Sequence, residues 1–275
     1  MKIQTIIIGK ESNLSKALLK KVDDLIVISA RDILKDISVL SVFYDKKINI
    51  IFNNFQSATQ LNEIISAESY ILNAISVTAK VLDFCKNMNI KIYKIIYTSS
   101  SSVYGNNILC NEKDELKPLN LHASLKFANE KLIEKFCTEN NIDYTITRVF
   151  NMYGGDDKFS IISKIIQCFR NDTKLTVVNN GNAVRDFIYI NDVVDIYIKL
   201  LSVKNINIVN IGTGKGSSIK SIFDLLKNHN ISIKMDNIFR DEVKISTADT
   251  NLLEKMIGKI YFTEVESYLK EELKI

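Results

Sequence analysis

Two side chains that can exchange protons, His122 and Lys126, lie four residues apart in the stretch HASLKFANEKL. Apolar residues recur there at helical spacing, so we predict a helix that presents both side chains on one face. Histidine changes its charge near neutral pH and the lysine beside it is a cation, a combination suited to proton transfer. The alternative is an ordinary surface pair, and the surrounding elements decide between the two interpretations.

A run of serines, residues 99–102 in the stretch TSSSSVYG, comes directly after the apolar run 92–97. An apolar run of this length predicts a buried strand, whose carboxyl end would carry the hydroxyl groups. The helix with the His122–Lys126 pair follows this strand in the chain. The serines and the pair are therefore candidates for one site.

The elements that must position these residues alternate along the first half of the chain. Strand-like apolar runs alternate with helical spacing, and the runs are too apolar to have one face in water. This pattern predicts an α/β fold with a parallel, doubly wound sheet. In such sheets the ligand crevice lies at the carboxyl ends of the strands, so the loops after Ile8, Phe52, Tyr97 and Val149 should converge. The predicted strands are 2–8, 25–29, 48–52, 92–97 and 144–149, and the predicted helices are 13–22, 67–88 and the one that contains His122.

After Val149 the alternation of strands and helices becomes less regular, which indicates a smaller lobe. We predict turns at FNMYGG and NNGN and a glycine-rich loop at NIGTGKGSS. The predicted helices are 161–170, 192–201 and 219–228, and residues 175–178 are predicted to be extended.

The composition excludes several classes of protein. The 275 residues are 46% hydrophobic and carry 36 basic and 32 acidic side chains without a block of like charge, which argues against a nucleic-acid partner. The chain lacks a run of about 20 apolar residues and a basic leader, so we expect a cytoplasmic protein that does not enter membranes. Four widely spaced cysteines and two histidines predict neither a metal site nor disulfides.

The loops after the first two strands suggest a dinucleotide. A dinucleotide-binding turn needs small residues, and GKESNLS offers Gly9, Ser12 and Ser15. Serine hydroxyls can admit and bind a phosphate, although Ser12 or Asn13 could instead simply cap a helix. In ISARD, Arg31 stands where an acid would contact a ribose, which favours NADP(H) over NAD(H). The alternative for Arg31 is a cap on a short helix.

Six motifs occur in the order of one protein family. They are TSSSSVYG, the helix that carries Lys126, RVFNMYGG, VRDFIYINDVVD, NIGTGKGSSI and RDEVKISTADTNLLEKMIG. Over residues 3–258 the chain resembles extended short-chain dehydrogenases/reductases, the NAD-dependent epimerase/dehydratase group that acts on nucleotide sugars. The resemblance implies a Rossmann-type dinucleotide-binding domain over 1–150. It also implies a smaller α/β C-terminal lobe for the nucleotide sugar over 151–275, with part of 185–212 returning to the first domain.

The resemblance assigns catalytic roles to three residues. Ser100 would bind the sugar oxygen that is oxidised or reduced, Lys126 would hold the nicotinamide ribose, and His122 stands where the family has its catalytic tyrosine. As an imidazolium, His122 could protonate a developing alkoxide, although Lys126 would lower its pKa. The alternative is that His122 is a relic, with the proton supplied by Tyr104, Cys110 or water.

The resemblance also implies binding residues and a homodimer, formed through the helices at 67–88 and 122–139 of each subunit. For Arg185 and Arg240 the alternative is a salt bridge with the neighbouring Asp186 or Asp241. The implied cofactor contacts are Gly9, Ser12, Asn13, Leu14, Arg31, Asn53, Asn54, Phe55, Asn73, Lys126 and Phe150, and the implied substrate contacts are Ser101, Ser102, Tyr104, Asn151, Arg185 and Arg240.

The function predicted from these residues is NADP(H)-dependent reduction of a nucleotide-activated keto-deoxy-sugar for surface polysaccharide synthesis, for example of the O-antigen or capsule. A nucleotide-sugar epimerase or 4,6-dehydratase with bound NAD is the first alternative. The absent tyrosine and the serines at 101 and 102, where dehydratases place acids, weigh against it. A catalytically inactive relative that only binds these ligands is the second alternative.

Overall fold

The computed structural model describes residues 3–53 and 66–274. In chain order the elements are β1 (Gln4–Ile8), α1 (Asn13–Leu19), β2 (Ile26–Ile28), α2 (Ala30–Lys35), β3 (Lys47–Phe52), α3 (Ala67–Ile71), α4 (Val77–Asn87), β4 (Lys91–Ser100), β5 (Leu109–Cys110), α5 (Leu121–Glu139), β6 (Asp143–Val149), β7 (Asn151–Tyr153), α6 (Ile161–Asn171), β8 (Leu175–Val178), β9 (Val184–Tyr189), α7 (Ile190–Leu200), β10 (Ile208–Ile211), β11 (Gly216–Ser218), α8 (Ile219–Asn228), β12 (Met235–Ile238), β13 (Ile245–Ala248), α9 (Asn251–Ile257) and α10 (Val265–Leu273).

A six-stranded sheet in the order β10-β6-β4-β3-β1-β2 forms the centre of the first lobe. Every neighbouring pair in it is parallel. The chain leaves β1 toward β2 on one side and later returns to place β3 on the other side. The switch point, where an open α/β sheet binds its ligand, is therefore between the carboxyl ends of β1 and β3.

Both faces of this sheet are covered by helices, as the doubly wound prediction requires. On one face Ile6 and Ile8 of β1 pack in a core with α2, α4 and α5. On the other face Ile7 packs in a core with α1, α7 and α9. Alternate residues of one strand thus enter different cores, which explains why the predicted strands are apolar throughout.

The second lobe contains a mixed sheet in the order β11-β9-β13-β5, a parallel pair of β8 and β12, and its own apolar core. Residues 151–153 of FNMYGG form strand β7, which pairs in parallel with β9, so the turn prediction is wrong for them. The turn comes at Gly154, with φ +91°, where a Cβ would lie 2.4 Å from the Tyr189 ring.

The long helix predicted at 67–88 is interrupted by a π-helical turn, Leu72–Ser76, between α3 and α4. A side chain that bonds a helix carbonyl can interrupt the regular hydrogen bonding of a helix. Here Asn129 of α5 donates its side-chain amide to the Ala74 carbonyl at 2.5 Å. Packing between the two helices therefore shapes this turn.

Three of the four cysteines are buried, as expected for core thiols. Across residues 3–53 and 66–274, no helix has an apolar stretch long enough to cross a bilayer.

Candidate active site

The serine cluster lies at the carboxyl end of β4. Ser100 is the last residue of the strand, and its hydroxyl oxygen accepts a hydrogen bond from the Ser102 amide at 3.2 Å. Ser101 and Ser102 begin a short 3₁₀ turn that ends at Gly105, where φ is +68° and a Cβ would lie 2.2 Å from the Lys117 carbonyl oxygen. Ser100, Ser101 and Ser102 are therefore half-buried at the carboxyl end of the sheet.

Helix α5 brings Lys126 to the same end of β4. Its Nζ donates to the Thr98 carbonyl at 2.7 Å and lies 5.3 Å from the centre of the Tyr97 ring. Burial lowers the pKa of Lys126 to about 7, and nearby Glu130 opposes this shift. Lys126 can therefore gain and lose a proton near neutral pH.

His122 lies one turn before Lys126 on α5 and is half-buried. Burial, and to a lesser extent the Lys126 charge, lowers the pKa of His122 to about 4. The direction agrees with the prediction, but burial is the larger cause. At neutral pH the imidazole is uncharged, so the imidazolium expected as a proton donor is scarcely populated.

A buried network supports this end of the sheet. Arg148 of β6 forms a bidentate pair with Glu130 of α5, at 2.8 Å (Nη2 to Oε2) and 3.2 Å (Nε to Oε1). Glu130 also accepts from the Ser99 hydroxyl at 2.5 Å. Neither Glu130 nor Arg148 was singled out from the sequence. The sequence did contain a signal for Glu130, because this residue continues the four-residue spacing of His122 and Lys126 along one helix face.

Tyr104 belongs to this network and not to the accessible part of the site. Its side chain is fully buried, and its hydroxyl donates to Asn210 Oδ1 at 2.7 Å and accepts from Arg148 Nη1 at 3.0 Å. Burial raises the pKa of Tyr104 well above its usual value. The structure therefore corrects two expectations, that Tyr104 contacts substrate and that it could supply the proton.

The loop after β1 lies at the switch point. Gly9 has φ +121°, a conformation that favours glycine. The Asn53 side-chain amide, just after β3, donates to the hydroxyls of Ser12 at 2.8 Å and Ser15 at 2.9 Å. Since Asn53 occupies an acceptor site on each serine, the Ser12 hydroxyl hydrogen remains able to point at an anion. This donor set fits the phosphates of a dinucleotide.

The remaining residues near this loop take different positions. Asn13 joins the two lobes through its side chain. Its Nδ2 donates to the Gly154 carbonyl at 2.9 Å, and its Oδ1 accepts from the Asp156 backbone amide at 2.9 Å. Leu14 is buried in the core under α1. Arg31 is exposed on α2, where Ser29 provides the helix cap by accepting from the Arg31 amide at 3.1 Å.

Three further cofactor predictions, Asn73, Asn54 and Phe55, come after β3 in the chain. Asn73 is half-buried on the π-helical turn. Asn54 and Phe55 lie outside the described residues.

The last cofactor prediction, Phe150, falls on the junction of the lobes. The substrate predictions Asn151, Arg185 and Arg240 fall on this junction and on the second lobe. Phe150 is buried against Tyr104, with ring centres 6.4 Å apart, whereas Asn151 is exposed. Arg240 is also exposed. Arg185 is half-buried and forms an ion pair, but its partner is Glu242 at 3.1 Å and not the neighbouring Asp186.

Asp186 explains the glycine-rich loop. Its buried carboxylate accepts from the backbone amides of Thr213 at 2.8 Å, Gly214 at 2.9 Å and Ala248 at 3.1 Å. Burial raises the pKa of Asp186, and these hydrogen bonds oppose the shift. The loop thus cradles an internal carboxylate, and its glycines permit this close approach: a Cβ at Gly212 would lie 2.8 Å from Asp186 Oδ2.

Comparison with known proteins agrees with this geometry. A family model described as the NAD dependent epimerase/dehydratase family matches residues 6–212. The chain therefore belongs to the NAD-dependent epimerase/dehydratase family, whose solved neighbours share its Rossmann-like α/β fold.

Three similar proteins illustrate the range of this family. GDP-6-deoxy-D-talose 4-dehydrogenase from Aggregatibacter actinomycetemcomitans is 30% identical over 216 residues, covering 74% of this chain and 72% of that protein. UDP-N-acetylglucosamine 4-epimerase from Methanobrevibacter ruminantium M1, in complex with UDP-N-acetylmuramic acid, has a TM-score of 0.84 and 22% identity, covering 100% of this chain and 98% of the other. UDP-glucuronic acid 4-epimerase from Bacillus cereus, in complex with UDP-glucuronic acid and NAD, has a TM-score of 0.84 and 21% identity, covering 99% and 98%.

Proposed function

We propose that this chain is an NADP(H)-dependent reductase of a nucleotide-activated keto-deoxy-sugar, working in surface polysaccharide precursor synthesis. The observation that carries the proposal is a half-buried histidine, His122 of α5, at the position where the family has its tyrosine, and burial lowers the pKa of this imidazole to about 4. Oxidation of a sugar hydroxyl needs a base to remove its proton, and an imidazole of this pKa is a poor base. Reduction produces an alkoxide, a strong base that takes a proton from any positioned donor. Loss of the tyrosine therefore impairs a reductase less than an epimerase, which must first oxidise its substrate.

Ser100, His122 and Lys126 would each have a different role in the reduction. The hydride would come from NADPH when it is bound at the loop after β1. Ser100 donates a hydrogen bond to the ketone oxygen, and the neutral His122 ring donates its N–H to the same oxygen, as an uncharged imidazole with a lowered pKa can. Lys126, with a pKa of about 7, is the group that we assign as the proton source.

The cofactor would lie at the switch point between β1 and β3. Gly9 and the Ser12 hydroxyl would bind its phosphates, and the exposed Arg31 would pair with the 2′-phosphate that distinguishes NADP from NAD. Asn13 and Leu14 would contribute backbone amides near the phosphates, and Asn53 would orient Ser12. Asn73, Lys126 and Phe150 complete the proposed contacts, together with Asn54 and Phe55.

The nucleotide sugar would lie between the lobes. Ser101, Ser102 and Asn151 are the proposed contacts for the sugar, and Arg185 and Arg240 those for the diphosphate, which suits the forked guanidinium group. The similarity to a 4-dehydrogenase of GDP-6-deoxy-D-talose supports a deoxy-sugar carrying a ketone at position 4.

We also propose that the chain is a cytoplasmic homodimer. Ile71 of α3, Met88 at the end of α4 and Leu121 of α5 are apolar side chains with 43%, 43% and 44% of their surface exposed. A second copy packed on these helices would cover them. The molecular mass in solution, measured by light scattering, tests this proposal, and a monomer at micromolar concentration contradicts it.

Turnover of a panel of 4-keto nucleotide sugars with NADPH or NADH tests the main proposal. Stoichiometric cofactor oxidation is the expected result. Product formation without net oxidation would instead identify an epimerase with bound NAD. Binding without turnover would identify an inactive relative.

The pH dependence of turnover tests the role of Lys126. Because reduction needs the protonated ammonium, kcat should fall as pH rises through about 7. His122→Phe removes one hydrogen bond to the ketone, so kcat should fall roughly 100- to 1,000-fold without moving this midpoint. If the midpoint vanishes in His122→Phe, the histidine is the acid and our assignment is wrong.

A further inference from the structure

Three polar side chains, those of Asn179, Arg185 and Glu242, converge in the second lobe. Arg185 Nη2 donates to Glu242 Oε2 at 3.1 Å, and Asn179 Nδ2 donates to Glu242 Oε1 at 3.0 Å. The Arg185 and Glu242 side chains are 19% and 22% exposed, so the pair is partly shielded but open to water. A donor from strand β9 and a donor from the turn after β8 thus hold both oxygens of one carboxylate.

Strand register brings these residues together. β8 and β12 pair up to Val178 and Ile238, which places Asn179 beside the segment that follows Ile238. β9 and β13 pair from Val184 and Ile245, which places Arg185 beside the end of the same segment. The connection between β12 and β13 therefore passes between the two donors.

Asn179 also fixes the backbone of that connection. Its Nδ2 donates to the Arg240 carbonyl at 2.7 Å, and its Oδ1 accepts from the Arg240 amide at 3.2 Å. One amide side chain thus bonds the backbone of Arg240 and the carboxylate of Glu242. Asn179 therefore holds the connection between β12 and β13 in place, with Glu242 beside Arg185.

A guanidinium and an amide N–H aimed at one carboxylate form a donor set that suits any compact oxyanion, including a phosphate. We propose that Arg185 and Asn179 form an anion site that Glu242 fills in the free protein, and that the diphosphate of the nucleotide sugar displaces this carboxylate. The inference rests on the proposed function, because it concerns the ligand of the same lobe. It adds Asn179 to the binding residues and makes Glu242 a determinant of affinity.

The internal carboxylate has a consequence for binding. A ligand must displace Glu242 before it can bind Arg185, so its apparent affinity is its intrinsic affinity multiplied by the fraction of molecules in which the pair is open. Glu242 therefore lowers the apparent affinity of every anion that binds Arg185 by the same factor.

Calorimetric titration with UDP and GDP, without sugar or cofactor, tests the displacement. Glu242→Gln should bind the preferred nucleotide roughly three- to tenfold more tightly than the wild type, because the competing charge is gone. Glu264→Gln is the matched control: it removes the same charge from an exposed pair with Lys215 at 2.7 Å and should leave the affinity unchanged. In an Arg185→Gln background, Glu242→Gln should give no tightening.

Several outcomes would overturn the inference. Weaker or equal binding by Glu242→Gln would mean that Glu242 contacts the ligand or plays no part. Equal tightening by Glu242→Gln and Glu264→Gln would mean a general effect of net charge, and persistent tightening without Arg185 would exclude the shared site. Absence of nucleotide binding in all variants would also refute it.

A measurement on the wild type covers the case in which the variants do not fold. In crystals grown with UDP or GDP, the diphosphate should lie on Arg185 and the Arg185–Glu242 separation should exceed 4 Å. A retained ion pair with the diphosphate elsewhere contradicts the inference. Turnover of keto-sugars with NADPH is measured separately, so reduction without displacement would refute only this inference, and displacement without reduction would refute only the proposed function.

Discussion

Lys126 should make the stability of the protein depend on pH in a way that its replacement removes. In the unfolded chain a lysine keeps its proton up to about pH 10.5, whereas burial lowers the pKa of Lys126 in the folded protein to about 7. Between these values the unfolded chain binds more protons, so the free energy of unfolding rises with pH. The contribution of Lys126 is fully present above pH 10.5 and is lost as pH falls toward 7.

The size of this effect follows from the number of protons involved. One proton bound only by the unfolded chain changes the free energy of unfolding by about 1.4 kcal/mol per pH unit. From about pH 7.5 to about pH 9.5, Lys126 should therefore contribute a rise of about 2–3 kcal/mol. Lys126→Met removes the titrating group and keeps most of the apolar stem. It also leaves the Thr98 carbonyl without its Nζ donor, which costs about 1–3 kcal/mol at every pH and does not alter the slope.

Urea unfolding followed by far-UV circular dichroism at several pH values gives the required curves. The difference between wild type and Lys126→Met should grow by the stated amount over this range. Lys131→Met is the matched control on the same helix, because Lys131 is 60% exposed and paired with Glu134, and its curve should run parallel to the wild type. Parallel curves for Lys126→Met and the wild type would refute the reasoning, because they would mean that the ammonium is solvated.

Three other substitutions test the rest of the site. Glu130→Gln leaves the buried Arg148 guanidinium without its counter-charge and should lower the free energy of unfolding by about 3–5 kcal/mol. The control, Glu139→Gln in the exposed pair with Lys135, should lower it by under about 1 kcal/mol. Similar losses for the two variants would contradict the stabilising role of the buried pair. Tyr104→Phe should cost about 1–2 kcal/mol in urea unfolding and leave the KM for the sugar unchanged, and a raised KM would restore a substrate contact. Arg31→Gln should weaken NADPH binding roughly tenfold or more in a fluorescence titration and change NADH binding little, so equal losses would argue against a 2′-phosphate contact.

The fold could be predicted from the sequence to a large extent because its main signal is local. The central strands are buried on both faces, so they appear as uninterrupted apolar runs, and β3 and β6 were predicted within one residue of their observed bounds. Strand β7 was missed because three residues between a strand and two glycines carry too little pattern to separate a strand from a turn. Its pairing with β9 is a tertiary contact over a long sequence separation.

The site was predictable only in part, for a related reason. The positions of Ser100, His122 and Lys126 follow from motif spacing, but their protonation states depend on burial, which spacing does not reveal. The burial of Tyr104 follows from contacts with distant elements, and so does the pairing of Arg185 with Glu242 in place of Asp186.

The central claim is that a dinucleotide lies across the carboxyl ends of β1, β3 and β4, with its reactive ring beside Ser100 and Lys126. A crystal structure of the protein grown with saturating NADPH tests this claim most directly. The account predicts density that runs from the Gly9 loop to the end of β4, with the 2′-phosphate on Arg31. Side chains filling that crevice, or cofactor density elsewhere on the protein, would contradict it.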